Sequence, residues 1–469
     1  MSGPLQQNTP DIAQLRRSAD PLADDTIARL LDPWQGDGHG HDTHACNFDI
    51  LGVVNRQMEK WQINGPMKTW KADPDVDPAV AAELEAYVAK GLTLPTWADP
   101  ERIERAEALF VDFGMLSCTL LFCSSLPECY VIPDLAAVLH VAGQLEERTE
   151  YRIRSTAAMI FPVMMVGGMT RDSGGGLPQI LKVRLIHATI RHLILRGNPS
   201  NTVAAGIIPP LPIDLIASGS AMHKAMFARG WNLDADGMPC SQDELAYTLL
   251  TFGYVFLRSL RRLGLGLSRS DEQAYLHAWN VMGHVLGMQT TLMAHTMEQA
   301  EELFARLQEQ GRARPFEPDS RPKLGNALMA TMQAVIPLGL IKPFPVLLTR
   351  FLCGKTTASD IGIAHRVPFI SRLLFVLLMA LVRGFDWVVR LVLPNFSIAR
   401  MITRVVGYQF TCKVLMDQTR PLKLPKTLVN QVTSMTADWH VDPKAPAWLN
   451  KLEHKLTRRP GAPAEGVKA

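Results

Sequence analysis

The sequence predicts an all-α protein with a large helical core and an apolar helical C-terminal region. Six segments place apolar residues at the 3.6-residue period of a helix, namely 106–122, 135–145, 151–165, 181–195, 244–263 and 270–286. No run of residues shows the strict alternation expected of a half-buried strand. At 469 residues and 47% hydrophobic content, the chain is long enough to bury a sizeable core.

The composition changes along the chain and predicts four regions. Residues 1–95 are rich in Pro, Asp and Gly, so we expect an extended N-terminal arm with short helices. Residues 96–306 carry most of the helical periodicity and form the expected core domain. Residues 307–325 are charged and contain three prolines, which favours a linker. Residues 326–469 form the apolar helical C-terminal region, which ends in a basic tail.

One long helix is expected at residues 369–393, with its polar residues along a single stripe. Its continuous apolar run, residues 373–382, is only 10 residues long, whereas a span needs roughly 20. Two interpretations remain open. The helix could lie at a membrane interface or form an access path for a lipid substrate, or it could be a buried helix whose arginines pair with Asp386.

Charge and cysteine content exclude several classes of protein. The 48 basic residues nearly balance the 45 acidic ones, so a dedicated nucleic-acid binder is not expected. Seven irregularly spaced cysteines do not indicate a disulfide framework and fit a reducing compartment. Because no apolar segment follows Arg16 and Arg17, we find no secretory signal. We therefore expect a cytoplasmic protein, with contact to the periphery of the inner membrane face as the alternative.

A single histidine on an apolar helix is the main candidate functional residue. Arg184, His187 and Arg191 stand at positions i, i+3 and i+7 of one helix stripe, and Arg152 and Thr156 share a face of another helix. The two stripes could face each other across a pocket that holds a haem. His187 would then ligate the iron, and the two flanking arginines would bind the propionates. The alternative is that His187 is a core histidine and the arginines are solvated.

Three further segments suggest sites less strongly. The glycine-rich residues 167–176 lack the Gly-Lys-Ser/Thr ending of a phosphate-binding loop, so we interpret them as a flexible turn. The run from His39 to His44 could bind a metal or form a polar loop. His277 and His284 are two turns apart on one helix face, which favours structural histidines over a non-haem metal site with Glu272.

Taken in order, several motifs resemble those of the latex clearing protein and MpaB-type oxygenase family. The resemblance covers roughly residues 95–300, and two of its segments are specific in context: Val-Arg-Leu-Ile-His at 183–187 and Tyr-Leu-His-Ala-Trp at 275–279. The others are Ser-Leu-Pro-Glu-Cys-Tyr at 125–130, Arg-x-x-x-Thr at 152–156 and the segment 242–252.

This resemblance implies a globin-like helical core with haem b, which cleaves carbon–carbon double bonds of isoprenoid or prenyl chains with O2. By position, His187 matches the proximal iron ligand. Arg152 and Thr156 match motif residues of the distal or haem-contacting helix and are the expected catalytic residues.

Two departures from the family pattern bear on the substrate. Rubber-cleaving members often carry a lysine before the motif threonine, where this chain has Ser155, and they are exported. An intracellular lipid, a prenyl group or another apolar alkene is therefore the expected substrate. The alternatives are a haem protein that binds gas without catalysis and a cofactor-free protein that binds lipids at a membrane surface.

Overall fold

The computed structural model describes residues 11–31, 41–136, 138, 156, 159–202, 206–210, 228, 230–314, 319–334, 336 and 338–392. For residues 41–46, 115 and 381–392 it describes the backbone alone. The helices of the first 130 residues are α1 (Ile12–Arg16), α2 (Pro21–Leu30), α3 (His41–Glu59), α4 (Asn64–Met67), α5 (Pro78–Gly91), α6 (Pro100–Phe113), α7 (Met115–Leu120), a π-helical turn (Leu121–Ser125) and α8 (Leu126–Cys129).

The later helices begin after a glycine-rich loop and reach into the C-terminal region. They are α9 (Gly176–Leu195), α10 (Pro199–Thr202), α11 (Leu233–Asp236), α12 (Gln242–Phe252), α13 (Tyr254–Leu263), α14 (Arg269–Val285), a 3-10 turn (Thr290–Leu292), α15 (Met297–Arg312), α16 (Arg321–Ala334), α17 (Phe344–Asp360) and α18 (Phe369–Val392). Residues 159–164 are also helical.

The all-α prediction is confirmed. Within the described ranges, strand structure is limited to β1 (Ile207–Ile208) and β2 (Trp231–Asn232), which pair antiparallel. Several helices begin where a side-chain oxygen accepts the otherwise unpaired amide N–H groups of the first turn. Asp77 caps α5 in this way and Asp99 caps α6, and a proline follows each of them.

The N-terminal helices belong to the hydrophobic core, which differs from the extended arm expected for residues 1–95. Ala23, Ile27 and Leu30 stand at i, i+4 and i+7 of α2 and are buried against α9 and α5. The Tyr87 hydroxyl of α5 donates a hydrogen bond to the carbonyl of Leu181 in α9, 2.8 Å away. Several Pro and Asp residues of this region stand at the N-terminal ends of helices. Because the same residue types are common in loops, the composition of the region suggested an extended arm.

Two helices expected to be continuous are broken at glycines. The segment 106–122 changes direction at Gly114, whose φ of 45° ends α6. The segment 244–263 is divided at Gly253, where an added Cβ would lie 3.3 Å from the Trp279 ring. Close packing of the backbone against an aromatic side chain leaves no periodicity signal in the sequence.

Buried carboxylates join the later part of the chain to the core. Arg314, in the segment expected as a linker, contacts Asp134 at 2.9 Å and Asp243 at 2.8 Å. The Glu128 carboxylate of α8 accepts hydrogen bonds from residues of three later helices, namely Arg258, Gln308 and Thr357. The described residues of 307–325 therefore lie against the core.

No single described helix has both the length and the apolar character needed to cross a bilayer. A pair, Pro100–Phe113 with Leu116–Cys129, reaches that length and composition only together and is bent by 90°.

Candidate active site

Helix α9 carries the candidate iron ligand on the edge of an accessible apolar stripe. The side of α9 that faces the core is formed by residues such as Leu181, Leu185 and Ala188, each 0% exposed. The stripe on the other side consists of Val183, Ile186, His187 and Ile190, at i, i+3, i+4 and i+7. Ile186 is 41% exposed, so the fold leaves this stripe partly uncovered.

The His187 imidazole is neutral and has no hydrogen-bond partner among the described residues. Burial, aided by the charge of Arg191, lowers the pKa of His187 to about 4. The residue as a whole is half-buried and keeps some accessible surface. A neutral ring with a free nitrogen lone pair is the form that binds a metal ion.

Arg184 and Arg191 have other partners than the haem propionates expected from their spacing. The Arg184 guanidinium binds the Asp20 carboxylate of α2 through two nitrogens, at 2.5 and 2.6 Å, and donates to the Val285 carbonyl. Both arginines lie toward the side of α9 that packs on α2.

The Arg191 pair is buried more deeply. The guanidinium contacts Asp24 at 2.8 Å and donates to the carbonyls of Pro239 and Cys240. Burial raises the pKa of Asp24 to about 6, although Arg191 opposes that shift. The structure therefore gives both arginines the role of joining α9 to the N-terminal helices.

The two expected catalytic residues are only partly within the described structure. Thr156 is helical and half-buried. Arg152 and Ser155 lie outside the described residues. Their assignment therefore stays a prediction.

The glycine-rich loop 167–176 joins helical residues 159–164 to α9 and is held by two side chains that sequence analysis missed. The Asn64 amide donates to the carbonyls of Gly168 and Arg171, at 2.9 and 2.7 Å. The buried Glu107 carboxyl group accepts hydrogen bonds from the amide N–H groups of Gly167 and Met169, at 2.7 and 3.3 Å. The turn is therefore correctly predicted, but it is fixed in place by these bonds and is not a free, flexible segment.

Glu107 could have been noticed from the sequence. It shares one side of α6 with Ile103 and Phe110, which are buried, and a carboxyl group on an apolar stripe needs internal partners. Burial raises the pKa of Glu107 to about 8, against the effect of its two backbone donors. Because the loop connects helical residues 159–164 with the helix of His187, Glu107 helps to set the relative position of these two elements.

The other histidine motifs do not form a metal site in the described part of the chain. The His277 Nε2 atom accepts the N–H of Asp99 at 2.9 Å, and Trp97 packs edge-on against both His277 and His284. Glu272 is paired with Arg261 at 2.6 Å. Across the described residues, no three His, Cys, Asp or Glu side chains are placed to hold a metal ion. His39 and the side chains of His41, Asp42 and His44 lie outside the description.

Comparison with known proteins assigns the chain to a family. Residues 131–384, more than half of the 469, match the family described as ER-bound oxygenase mpaB/B'/rubber oxygenase, catalytic domain. The chain belongs to this family. The family resemblance predicted from the sequence motifs is confirmed, and the protein is an oxygenase. The matched region runs through residues 307–325, so the segment expected as a linker lies inside the family's domain.

Two known proteins are similar to this chain over most of its length. A rubber oxygenase from Streptomyces sp. (strain K30) is 22% identical over 329 residues, which is 69% of this chain and 71% of the relative. The solved structure of latex clearing protein in the closed state matches with a TM-score of 0.56 and 19% identity, over 79% of this chain and 85% of that one. The second likeness shows a shared fold.

Proposed function

We propose that this protein is a haem b-dependent oxygenase that cleaves carbon–carbon double bonds of an isoprenoid-like or other apolar alkene with O2. The observation that carries the proposal is the neutral His187 imidazole, without a hydrogen-bond partner among the described residues, on the accessible apolar stripe of α9. The names of the two relatives, a rubber oxygenase and a latex clearing protein, support the choice of substrate class.

The residues of α9 fit a haem. An imidazole nitrogen can ligate iron, and Val183, Ile186 and Ile190 offer apolar surface to the faces and edges of a porphyrin. Burial keeps His187 in the unprotonated form that ligation requires across the physiological pH range. Haem iron, when bound, supplies the activation of O2.

The protein's own contribution is to exclude water and to orient the alkene. The apolar stripe of α9 suits a hydrocarbon chain, because desolvating such a chain is favourable. Arg152 and Thr156 are proposed to position the reacting groups at the site. In the net reaction the double bond breaks and each of its carbons receives one oxygen atom of O2, which gives two carbonyl groups and needs no further oxidant.

The ligand role is tested by the absorption spectrum of the purified protein with haem. We expect that His187→Ala removes or grossly alters the Soret band, while the far-ultraviolet circular dichroism stays unchanged. The matched control is His284→Ala, which removes another half-buried histidine. An unchanged Soret band in the His187 variant refutes the ligand assignment.

Turnover separates the oxygenase from a haem protein that only binds gas. Oxygen uptake should accompany the appearance of aldehyde or ketone groups from a short oligoisoprenoid. We expect Arg152→Ala to lower this turnover per folded molecule strongly and to change the melting temperature only slightly. If the melting temperature falls and turnover per folded molecule is kept, Arg152 is structural.

A further inference from the structure

The first half of α18 presents an apolar surface that is open in the structure. Seven large apolar side chains within ten residues are each at least 37% exposed, namely Phe369, Ile370, Leu373, Leu374, Val376, Leu377 and Leu378. Contiguous apolar surface of this extent is uncommon on soluble monomers and marks binding surfaces.

The helix is attached to the protein along one narrow side. Ser371 and Phe375, four residues apart, are 1% and 9% exposed, and the Phe375 ring packs edge-on against Phe344 at 5.5 Å. At 100° per residue, Leu373 and Leu377 point away from this attached side. The apolar face of α18 is therefore turned outward.

A neighbouring turn extends the surface. Leu338 and Leu340 are 62% and 57% exposed. Leu340 precedes Phe344, which contacts α18, by four residues, so the Cα atoms of Leu340 and Phe344 are at most about 14 Å apart. We call Leu338, Leu340 and the seven exposed residues of α18 the apolar patch.

The charged residues around the apolar patch are mostly basic. Residues 338–380 contain five lysines and arginines but a single acidic residue, Asp360. That carboxylate is paired with Arg312 at 2.9 Å. Lys342, Arg366 and Arg372 are exposed beside the patch. An apolar face bordered by cations is the pattern of a helix that lies in the interface of an anionic membrane.

We propose that the apolar patch docks this protein on the surface of an anionic phospholipid membrane, with α18 lying parallel to it. The apolar side chains would enter the boundary between headgroups and acyl chains, and the exposed cations would contact lipid phosphates. Its apolar segment, Phe369–Ala380, is too short to span a bilayer. Contact with a second copy is disfavoured, because a twofold interface would bring the same cations together.

The proposal is tested by flotation of the full-length protein with vesicles. We expect binding to vesicles of phosphatidylcholine with phosphatidylglycerol, weaker binding to phosphatidylcholine alone, and weakening by salt. The double variant Leu373→Ser, Leu377→Ser should lower the partition coefficient at least tenfold. Arg366→Gln with Arg372→Gln should lower it about fivefold for each charge removed.

Matched controls lie elsewhere on the surface. Ile207→Ser removes another exposed apolar side chain, 63% exposed on β1, and Arg269→Gln removes an exposed cation. Both should bind vesicles like the wild type. Wild-type protein that does not float with anionic vesicles, or patch variants that float as well as wild type, overturn the proposal.

Hydrogen exchange provides a readout on the unaltered protein, should a patch variant fold poorly. Amides of residues 369–380 should exchange more slowly when anionic vesicles are added, and unchanged exchange there contradicts membrane docking. A concentration-dependent dimer that the Leu373→Ser, Leu377→Ser variant abolishes, with no vesicle binding, overturns the proposal in favour of self-association. The patch contains no residue of α9, so vesicle binding and haem binding can fail independently.

Discussion

At the scale of single residues, position on a helix decides what each ionisable group can do. Val183 and His187 lie on the open side of α9, whereas Arg184 and Arg191 are turned toward the carboxylates of α2. One helical turn therefore contains both a candidate metal ligand and a structural ion pair. Spacing alone placed the histidine and the arginines on one stripe, but it could not identify partners more than 160 residues away in the sequence.

The pKa of His187 predicts a loss of stability in mild acid. The folded state holds this pKa at about 4, below the value of about 6.5 expected in the unfolded chain, so the unfolded state binds more protons between these pH values. The free energy of unfolding should therefore fall as pH falls from 6.5 toward 4, by roughly 3 kcal/mol as an upper limit. Urea unfolding without added haem measures it. His187→Phe should flatten the dependence of the free energy of unfolding on pH, and the exposed His295→Phe should not. If the two variants show the same dependence, His187 is not its cause.

The ion pair of Arg184 predicts a separation between stability and haem binding. Arg184→Ala leaves the buried Asp20 carboxylate without its partner, and breaking such a pair costs about 3 kcal/mol. The melting temperature should fall, while the Soret absorbance per folded molecule should stay that of the wild type. A variant of normal stability that has lost its haem would instead return Arg184 to the propionate role. Asp20→Asn combined with Arg184→Ala should recover part of the stability, because no charge is then left unpaired.

At the scale of helices and loops, the sequence predicts well which segments are helical, and it predicts poorly where a helix is interrupted. The long helix α18 was expected almost with its observed bounds, and the expected segment 181–195 covers α9 except for its first turn, because periodicity is a local property. The breaks at Gly114 and Gly253 were not expected. The break at Gly253 depends on the Trp279 ring that packs beside it, which is distant in the sequence. The clamp of Glu107 on the glycine-rich loop was missed for the same reason: its partners lie 60 and 62 residues away.

The clamp of Glu107 predicts a dependence on pH of opposite sign to that of His187. Its pKa is raised to about 8 in the folded state, so the folded protein binds the proton more tightly than the unfolded chain. Stability from this group is complete below about pH 4.5 and is lost as pH rises through 8, by a few kcal/mol. Glu107→Gln should flatten the profile between pH 6 and 8 in chemical denaturation. The exposed Glu101→Gln is the control, and a Glu107 variant with the wild-type profile shows that the carboxyl group is not the cause.

Helix α17 contains a backbone kink that can be tested without side-chain crowding. Gly354 has a φ of 91° within the helix, and an added Cβ would meet no atom within 4 Å. Gly354→Ala should therefore destabilise the protein by about 1 to 2 kcal/mol through backbone strain alone. Gly339→Ala is a matched control, because that position is equally open and has no positive φ. If thermal unfolding shows the same melting temperature for both variants, the kink is not required by the fold.

At the scale of the whole molecule, the described helices of the first 95 residues are part of the structure that presents His187. Helix α2 supplies the carboxylates that hold α9, and Trp61 and Tyr87 are buried against each other, with 0% and 1% exposure. The family match begins at residue 131, yet the helix with the candidate ligand is packed on residues well before that point. A core domain starting near residue 96, as the composition suggests, would expose the buried face of α9 and leave its arginines without counter-charges.

Removal of residues 1–95 should therefore abolish cooperative folding and not merely shorten the protein. The remaining chain would lose the ion pairs of Arg184 and Arg191 and much of the apolar contact between α2, α5 and α9, a loss larger than the usual net stability of a domain. We expect a truncated protein that begins at residue 96 to lack a sharp thermal transition in circular dichroism and to show no Soret band with added haem. Residues 1–95 supplied as a separate chain should restore both signals in part, because the contacts are non-covalent. A truncated protein that melts cooperatively near the wild-type temperature would show that the N-terminal helices are an appendage, as the sequence composition first indicated.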